Sequence, residues 1–209
     1  SPSCARRKGR ELRMLTRGEA LTRITRAADA AQAAVFTGNG LIPRALYALS
    51  DRRENFYMMG SMGLAFPMAV GFSKLSGAVT FAVEGDGNTL MGLSSAPLAA
   101  TAFGPLVHVV LDNGMYESTG GQGSPAPRFS FVRMAEACGY SMAVSVADGE
   151  ALSQALSTAV GEEHVGLVHV LVATDGGPPP PRVPFHPAEI TERFIARFRE
   201  DVSRQETAQ

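Results

Sequence analysis

The chain has 209 residues, is 45% apolar and 19% charged, and carries 19 basic against 20 acidic side chains. That length and balance predict one globular domain, and they exclude a disordered chain or a globally basic nucleic-acid binder. No apolar run approaches the roughly 18 residues of a membrane span. The charged start lacks the apolar stretch of a secretory signal, and two cysteines, Cys4 and Cys138, predict a reducing, cytoplasmic setting rather than a disulfide framework.

Residues 1–13 are polar and basic and are expected to form a flexible tail. From Thr16, the apolar positions Ala20, Leu21, Ile24, Ala27 and Ala28 recur at helical spacing. Ala34–Thr37 reads as a short buried strand ended by Gly38-Asn39-Gly40, and Leu41–Leu49 as the next helix. Phe56–Met59 is a second strand, bounded by Gly60. Ala65–Leu75 is a helix of small residues, suited to close packing on a sheet. Val79–Val83 is a third strand, followed by Gly85-Asp86-Gly87. Leu90–Thr101 reads as a helix that Pro97 kinks. Leu106–Leu111 is a fourth strand, apolar apart from His108, and residues 112–128 are a Gly/Pro/Ser loop. Phe131–Cys138 is a helix, Met142–Val146 a strand, Gly149–Val160 a helix and Gly166–Ala173 the last strand. Gly176–Pro184 is a stiff polyproline connector. Pro187–Asp201 is a closing helix with Ile190, Phe194, Ile195 and Phe198 on one face, so residues 14–201 are the expected domain and 202–209 a tail.

Strands and helices alternate, and the strands are continuous apolar runs. That is the pattern of an α/β fold, a parallel β-sheet flanked by helices on both faces. Ligands of such sheets sit at the carboxyl ends of strands. Four of those ends carry glycine: Gly38-Asn39-Gly40, Gly60-Ser61-Met62-Gly63, Gly85-Asp86-Gly87-Asn88 and Asp112-Asn113-Gly114-Met115. Glycine there lets backbone N–H groups approach an anion, which suggests a phosphate-bearing ligand. The first segment is only a GxG, with Pro43 where a dinucleotide fingerprint needs its third glycine, and no P-loop is present. Asp86 and Asn113 end successive apolar strands, which a strand–helix–strand step brings to one edge. One carboxylate and one amide oxygen suit Mg²⁺, which keeps open positions for a diphosphate.

Gly85-Asp86-Gly87 followed by Asn113 resembles the thiamine-diphosphate-binding motif. The segments NFYMMGSMGLAFPMAVGFS, GDGNTLMGLSSAPLAATAFGPLVHVVLDNGMYESTGGQ and ACGY resemble phosphonopyruvate and sulfopyruvate decarboxylases. ALYALSDRRENF and PRVPFHPAEITERF extend the likeness to about residues 15–199. The resemblance implies a thiamine-diphosphate-binding fold, specifically its diphosphate-binding domain, with thiamine diphosphate and Mg²⁺ as cofactors. Asp86, the Asn113 side chain and the Met115 carbonyl would bind Mg²⁺. Gly87 and Asn88 would contact the diphosphate, the Gly60 carbonyl would meet the 4′-amino group, and Met62 would wedge the cofactor into its bent form. Ser61, Gly85 and Tyr116 belong to the same cofactor-binding segments.

Enzymes of this kind also need a pyrimidine-binding half that supplies an activating glutamate, and this chain holds only the diphosphate half. The resemblance therefore implies the β-type subunit of a split 2-oxo acid decarboxylase, active with a pyrimidine-binding α-type partner, in an α2β2 assembly. The expected substrates are phosphonopyruvate or sulfopyruvate, giving the aldehyde and CO2. A piece of a fused enzyme, a carboligating enzyme that makes an acyloin and a non-catalytic binding subunit are the alternatives. No catalytic residue is assigned in this chain. Glu117 places an acid beside the active-site loop, where an anionic substrate needs a compensating cation, Arg128 being the candidate. His108 and His169 are expected to be satisfied core residues, His164 a loop residue and His186 a cap of the last helix.

Overall fold

Apolar strands with β-branched residues fold here into one parallel sheet. A computed structural model of the chain describes residues 14–102, 104–174 and 176–207, with side chains to residue 199. The predicted basic tail lies outside the described residues. Among those residues the elements run β1 (Leu15–Thr16), α1 (Arg17–Ala30), β2 (Ala34–Thr37), α2 (Leu41–Leu49), β3 (Asn55–Tyr57), α3 (Ala65–Ser76), β4 (Thr80–Gly85) and α4 (Asp86–Met91). A 3-10 stretch follows at Leu93–Thr101. Next come β5 (Leu106–Asp112), the short pair β6 (Met115–Tyr116) and β7 (Gln122–Gly123), α5 (Phe131–Ala137), β8 (Met142–Val146), α6 (Gly149–Val160), β9 (Val165–Ala173) and α7 (Pro187–Thr207).

The sheet has seven strands among the described residues, in the order β1-β9-β5-β4-β2-β3, with β8 also on β9. Every pairing in it is parallel. β1 and β8 meet different stretches of the same neighbour: Leu15 lies opposite Val172, whereas Met142–Val146 lie opposite Gly166–Val170. From β2 the chain steps to β3 on one side, then crosses back to β4 on the other. The direction of winding therefore reverses between β2 and β4, and a crevice opens at their carboxyl ends.

The two faces differ. One is aliphatic, with Leu21 and Ile24 of α1, Leu46 of α2 and Leu152 and Leu156 of α6 packed on Val83, Val109 and Val170. The other is aromatic: Phe66 of α3, Phe131 of α5 and Phe194 of α7 pack on Phe36, Val110 and Leu167. Because successive strand residues face opposite sides, the buried polar residues Glu84, His108 and His169 all fall on this second face.

Local chemistry sets the helix starts. Thr16 caps α1 by a reciprocal capping box with Glu19, worth about 1 kcal/mol. Asp148 caps α6 by accepting from the N–H groups of Glu150 and Ala151. His186 Nδ1 accepts from the N–H of Ala188 at 3.3 Å, as expected of a cap.

Three expectations need correction. The helix predicted at Leu90–Thr101 begins at Asp86, directly from the strand, and gives way after Gly92 to 3-10 geometry around Pro97, which has no N–H to donate. The loop at 112–128 contains the β6–β7 pair and a 3-10 turn at Ala126–Arg128. The last helix passes Asp201 and runs to Thr207, since neither Gly nor Pro interrupts that stretch. No helix among the described residues is long and apolar enough to cross a membrane.

Candidate active site

The crevice at the switch point collects the glycine-rich strand ends, and Asn88 ties them together. Its side-chain amide donates to Asn39 Oδ1 at 2.8 Å, and its Oδ1 accepts from the Gly63 N–H at 3.2 Å. One buried side chain on α4 thus holds the loops after β2 and β3. The loop after β3 is conformationally costly: Gly60 has φ +120°, Gly63 φ +86°, and Ser61 adopts φ +52°, which L-residues visit sparingly. It is also pinned from below. A Cβ on Gly92 would lie 2.3 Å from the Gly63 carbonyl oxygen, and a Cβ on Gly63 would lie 2.6 Å from the Gly92 nitrogen.

Asp86 opens α4 and is 2% exposed. Burial pushes its carboxyl above the usual carboxylate range; the Ser124 hydroxyl, which donates to Oδ2, pulls it down, and the Asp112 carboxylate pushes it up again. Beside it, Gly87 lets the Tyr116 ring pack directly on the backbone. A Cβ there would stand 2.3 Å from the Tyr116 ring and 3.3 Å from the Met62 methyl.

Asn113 follows the adjacent strand β5, whose Leu111 lies opposite Gly85, and lines the same cleft as Asp86. Three polar contacts fix the turn it sits in. The Gly114 N–H donates to Asp112 Oδ1 at 2.9 Å, and the Met115 N–H donates to Asn113 Oδ1 at 3.1 Å. The Asn113 side-chain amide donates to Glu117 Oε2 at 3.0 Å. That last bond settles which end of the amide is oxygen, because a carboxylate can only accept. Glu117 is in turn held by Arg17 Nη1 at 2.8 Å, so Arg17 and not Arg128 offsets its charge.

Behind this turn, His169 Nε2 meets Asp112 Oδ2 at 2.9 Å and its Nδ1 meets the Ser145 hydroxyl at 2.8 Å. A second buried chain runs from Tyr140 through His108 to Glu84: His108 Nδ1 lies 2.9 Å from the Tyr140 hydroxyl, and Nε2 lies 3.0 Å from Glu84 Oε1. Phe66 stacks on His108 with centroids 4.4 Å apart. Both histidines are therefore satisfied core residues, as expected. Burial drives the Tyr140 hydroxyl far above its ordinary value, so it stays neutral.

Eight of the ten predicted site residues line one cleft: Met62, Gly85, Asp86, Gly87, Asn88, Asn113, Met115 and Tyr116. Gly60 lines a neighbouring cavity with Asn39 and Gly40. Ser61 lies between Gly60 and Met62 in the left-handed conformation already noted. Arg17, Asn39 and Ser124 were missed. Asn39 sits in a flagged glycine segment, but nothing local marks Arg17 or Ser124, whose partners lie 100 and 38 residues away. No group of three or more His, Cys, Asp or Glu side chains able to hold a metal occurs among the described residues. A cation in this cleft would draw on amide and main-chain oxygens beside a single carboxylate.

A cleft at the switch point of a parallel sheet, framed by glycine-rich strand ends, defines an α/β domain of the ligand-binding, doubly wound type. The family model of the thiamine pyrophosphate enzyme C-terminal TPP binding domain matches residues 41–170, and the chain belongs to this family. Phosphonopyruvate decarboxylase of Streptomyces viridochromogenes is 38% identical over 191 residues, covering 91% of this chain and 48% of that protein. Sulfopyruvate decarboxylase subunit beta of Methanothermobacter thermautotrophicus is 33% identical over 187 residues, covering 89% of this chain and 97% of that subunit. The chain thus spans about half of the first relative and nearly all of the second. In fold it is similar to a thiamine diphosphate-dependent 4-hydroxybenzoylformate decarboxylase of Rhodococcus jostii RHA1, with a TM-score of 0.65 at 21% identity, over 78% of this chain and 34% of that one.

Proposed function

We propose that this chain is the diphosphate-binding, β-type subunit of a split thiamine-diphosphate-dependent 2-oxo acid decarboxylase acting on phosphonopyruvate or sulfopyruvate. The observation that carries the reading is the joining of Asp86, Asn113 and Met115 in one cleft with Gly87 and Asn88 at the start of α4. The residues fit the group. Asp86 offers a buried carboxylate whose ionised form needs a cation, Asn113 an amide oxygen of fixed orientation, and Met115 its carbonyl; together they suit the hard oxygen preference of Mg²⁺. Gly87 and Asn88 would take the diphosphate at the start of α4, and Gly85, Ser61 and Tyr116 would wall it in. Met62 would stand between the cofactor rings, with the Gly60 carbonyl accepting from the aminopyrimidine. When bound, thiamine diphosphate supplies the electron sink that lets CO2 leave a 2-oxo acid.

The activating glutamate is assigned to a pyrimidine-binding α-type partner, in an α2β2 assembly. Support comes from Leu64, Met68, Met91 and Leu93, large apolar side chains left exposed around the Gly63–Gly92 contact. The near-complete coverage of a subunit beta adds to it. A cytoplasmic location belongs to the same proposal and agrees with the free thiol of Cys138.

The test is purification of the chain from its own host under native conditions, with mass spectrometry of co-purifying protein and of released cofactor. A second polypeptide together with thiamine diphosphate, and decarboxylation of a 2-oxo acid by that complex, are expected. The chain alone, without cofactor, would overturn the proposal; acyloin as the sole product would reassign it to carboligation.

A further inference from the structure

Arginines in this fold are mostly spoken for. Arg17, Arg23, Arg52 and Arg193 each donate to a carboxylate or carbonyl. Two are not. Arg44, half-buried on α2, and Arg182, exposed after the polyproline connector, have no hydrogen-bond or ion-pair partner among the described residues. Both line the same cavity, together with Asn39, Gly40 and Gly60.

Three features give that cavity its chemistry. No acidic side chain lines it. Glu117, the acid in the adjoining cavity that Arg44 also reaches, is already occupied by Arg17 and Asn113. And the cavity opens beside the cleft of Asp86, with which it shares Asn39 and Gly40. Two arginines lining one cavity repel each other less when an anion lies between them. Their planar forks match tetrahedral oxyanions, which accept paired N–H bonds from each. A spherical or singly coordinated anion would leave most of those donors unused.

We propose that Arg44 and Arg182 form the subsite for the tetrahedral oxyanion terminus of the substrate, a phosphonate or sulfonate, with the reacting carbonyl turned toward the neighbouring cleft. The substrate part of this assignment rests on the decarboxylase reading; the anion subsite does not. It makes the two arginines specificity-determining residues: they select acids with a tetrahedral charged end over simple 2-oxo acids. It also gives the polyproline connector a task, since it delivers Arg182 to α2 from the far end of the chain.

The test uses the full chain and phosphonoacetate, an unreactive probe, with propionate as the analogue lacking the tetrahedral group. Calorimetry is expected to show saturable phosphonoacetate binding and none for propionate. Arg44→Met and Arg182→Met should each weaken it about tenfold or more, with unchanged melting temperature, while Asp86→Ala retains it. Absence of saturable binding to the native chain would overturn the subsite. So would native affinity in both arginine variants, or loss of binding in Asp86→Ala alone, which would place the probe in the metal cleft. In the assembled enzyme the same variants should raise KM for the phosphonate or sulfonate acid about tenfold, with a much smaller change in kcat. An assembly that turns over no 2-oxo acid, while the chain still binds phosphonoacetate through both arginines, would sink the decarboxylase reading and keep the subsite.

Discussion

Glu84 and Asp86 stand two residues apart at the end of β4, and both are almost wholly buried. Their surroundings differ. Glu84 points into the aromatic face, where His108 and Thr89 reach Oε1, and Tyr140 and Phe66 hold the histidine in place. Asp86 points into the crevice, where the Ser124 hydroxyl answers it and Asp112 adds negative charge. The core acid is tied to its own protein through Oε1, while its Oε2 is buried without a hydrogen-bond partner among the described residues. The crevice acid has a raised proton affinity, chiefly because it is buried. The contrast sets a carboxylate engaged by core side chains apart from the one to which the proposed function gives a cation.

The widest test of the contrast is Asp86→Asn. Mg²⁺-dependent retention of thiamine diphosphate should fall more than about 100-fold, beyond the loss usual for residues that only support a ligand, as measured by calorimetry on the assembled enzyme. The metal-free chain should instead become more stable. Asp86 has a folded pKa above its unfolded one, so between the two values the native chain holds more protons and stability is lost as pH rises. Melting curves of the metal-free chain should fall with pH across that window, and Asp86→Asn should flatten the fall. A melting profile that Asp86→Asn leaves untouched would erase the distinction.

On the core side, His108→Leu should cost about 3–5 kcal/mol, since it strands a buried carboxylate. The double variant Glu84→Leu/His108→Leu should recover most of that loss in chemical denaturation, because apolar groups then replace both partners. Gly92→Ala tests the floor of the crevice. Its Cβ would press on the backbone of Gly63, which cannot swing aside as a side chain can, and about 2 kcal/mol should be lost. The smallest effect belongs to Glu117→Ala. Its bridge to Arg17 is partly solvated, at 9% and 24% side-chain exposure, so stability should drop by about 1 kcal/mol or less. Freed from Glu117, however, the Asn113 amide can turn, and cofactor–metal affinity should fall about tenfold.

Parallel strands buried on both faces must be apolar throughout, which is why Ala34–Thr37 and Leu106–Leu111 were legible at once. The glycines and the Asp86–Asn113 spacing were legible for a related reason: a chain that returns to the same edge brings successive strand ends together. Other features had no local signal. β1 is two residues long and is a strand only because β9 offers it an open edge. The start of α4 at Asp86 was hidden by Gly-Asp-Gly-Asn, which reads as a turn until the strand is seen to pass straight into a helix. Arg17 looked like one more member of a basic segment, and Ser124 like loop filler. Both act through partners that only the folded chain supplies.

The backbone contact between Gly63 and Gly92 couples two distant codons. Neither position accepts a side chain while the other backbone stays where it is, so the history of this loop is one of joint change or none. The most restrictive residues at this crevice are then ones that contribute no functional group at all.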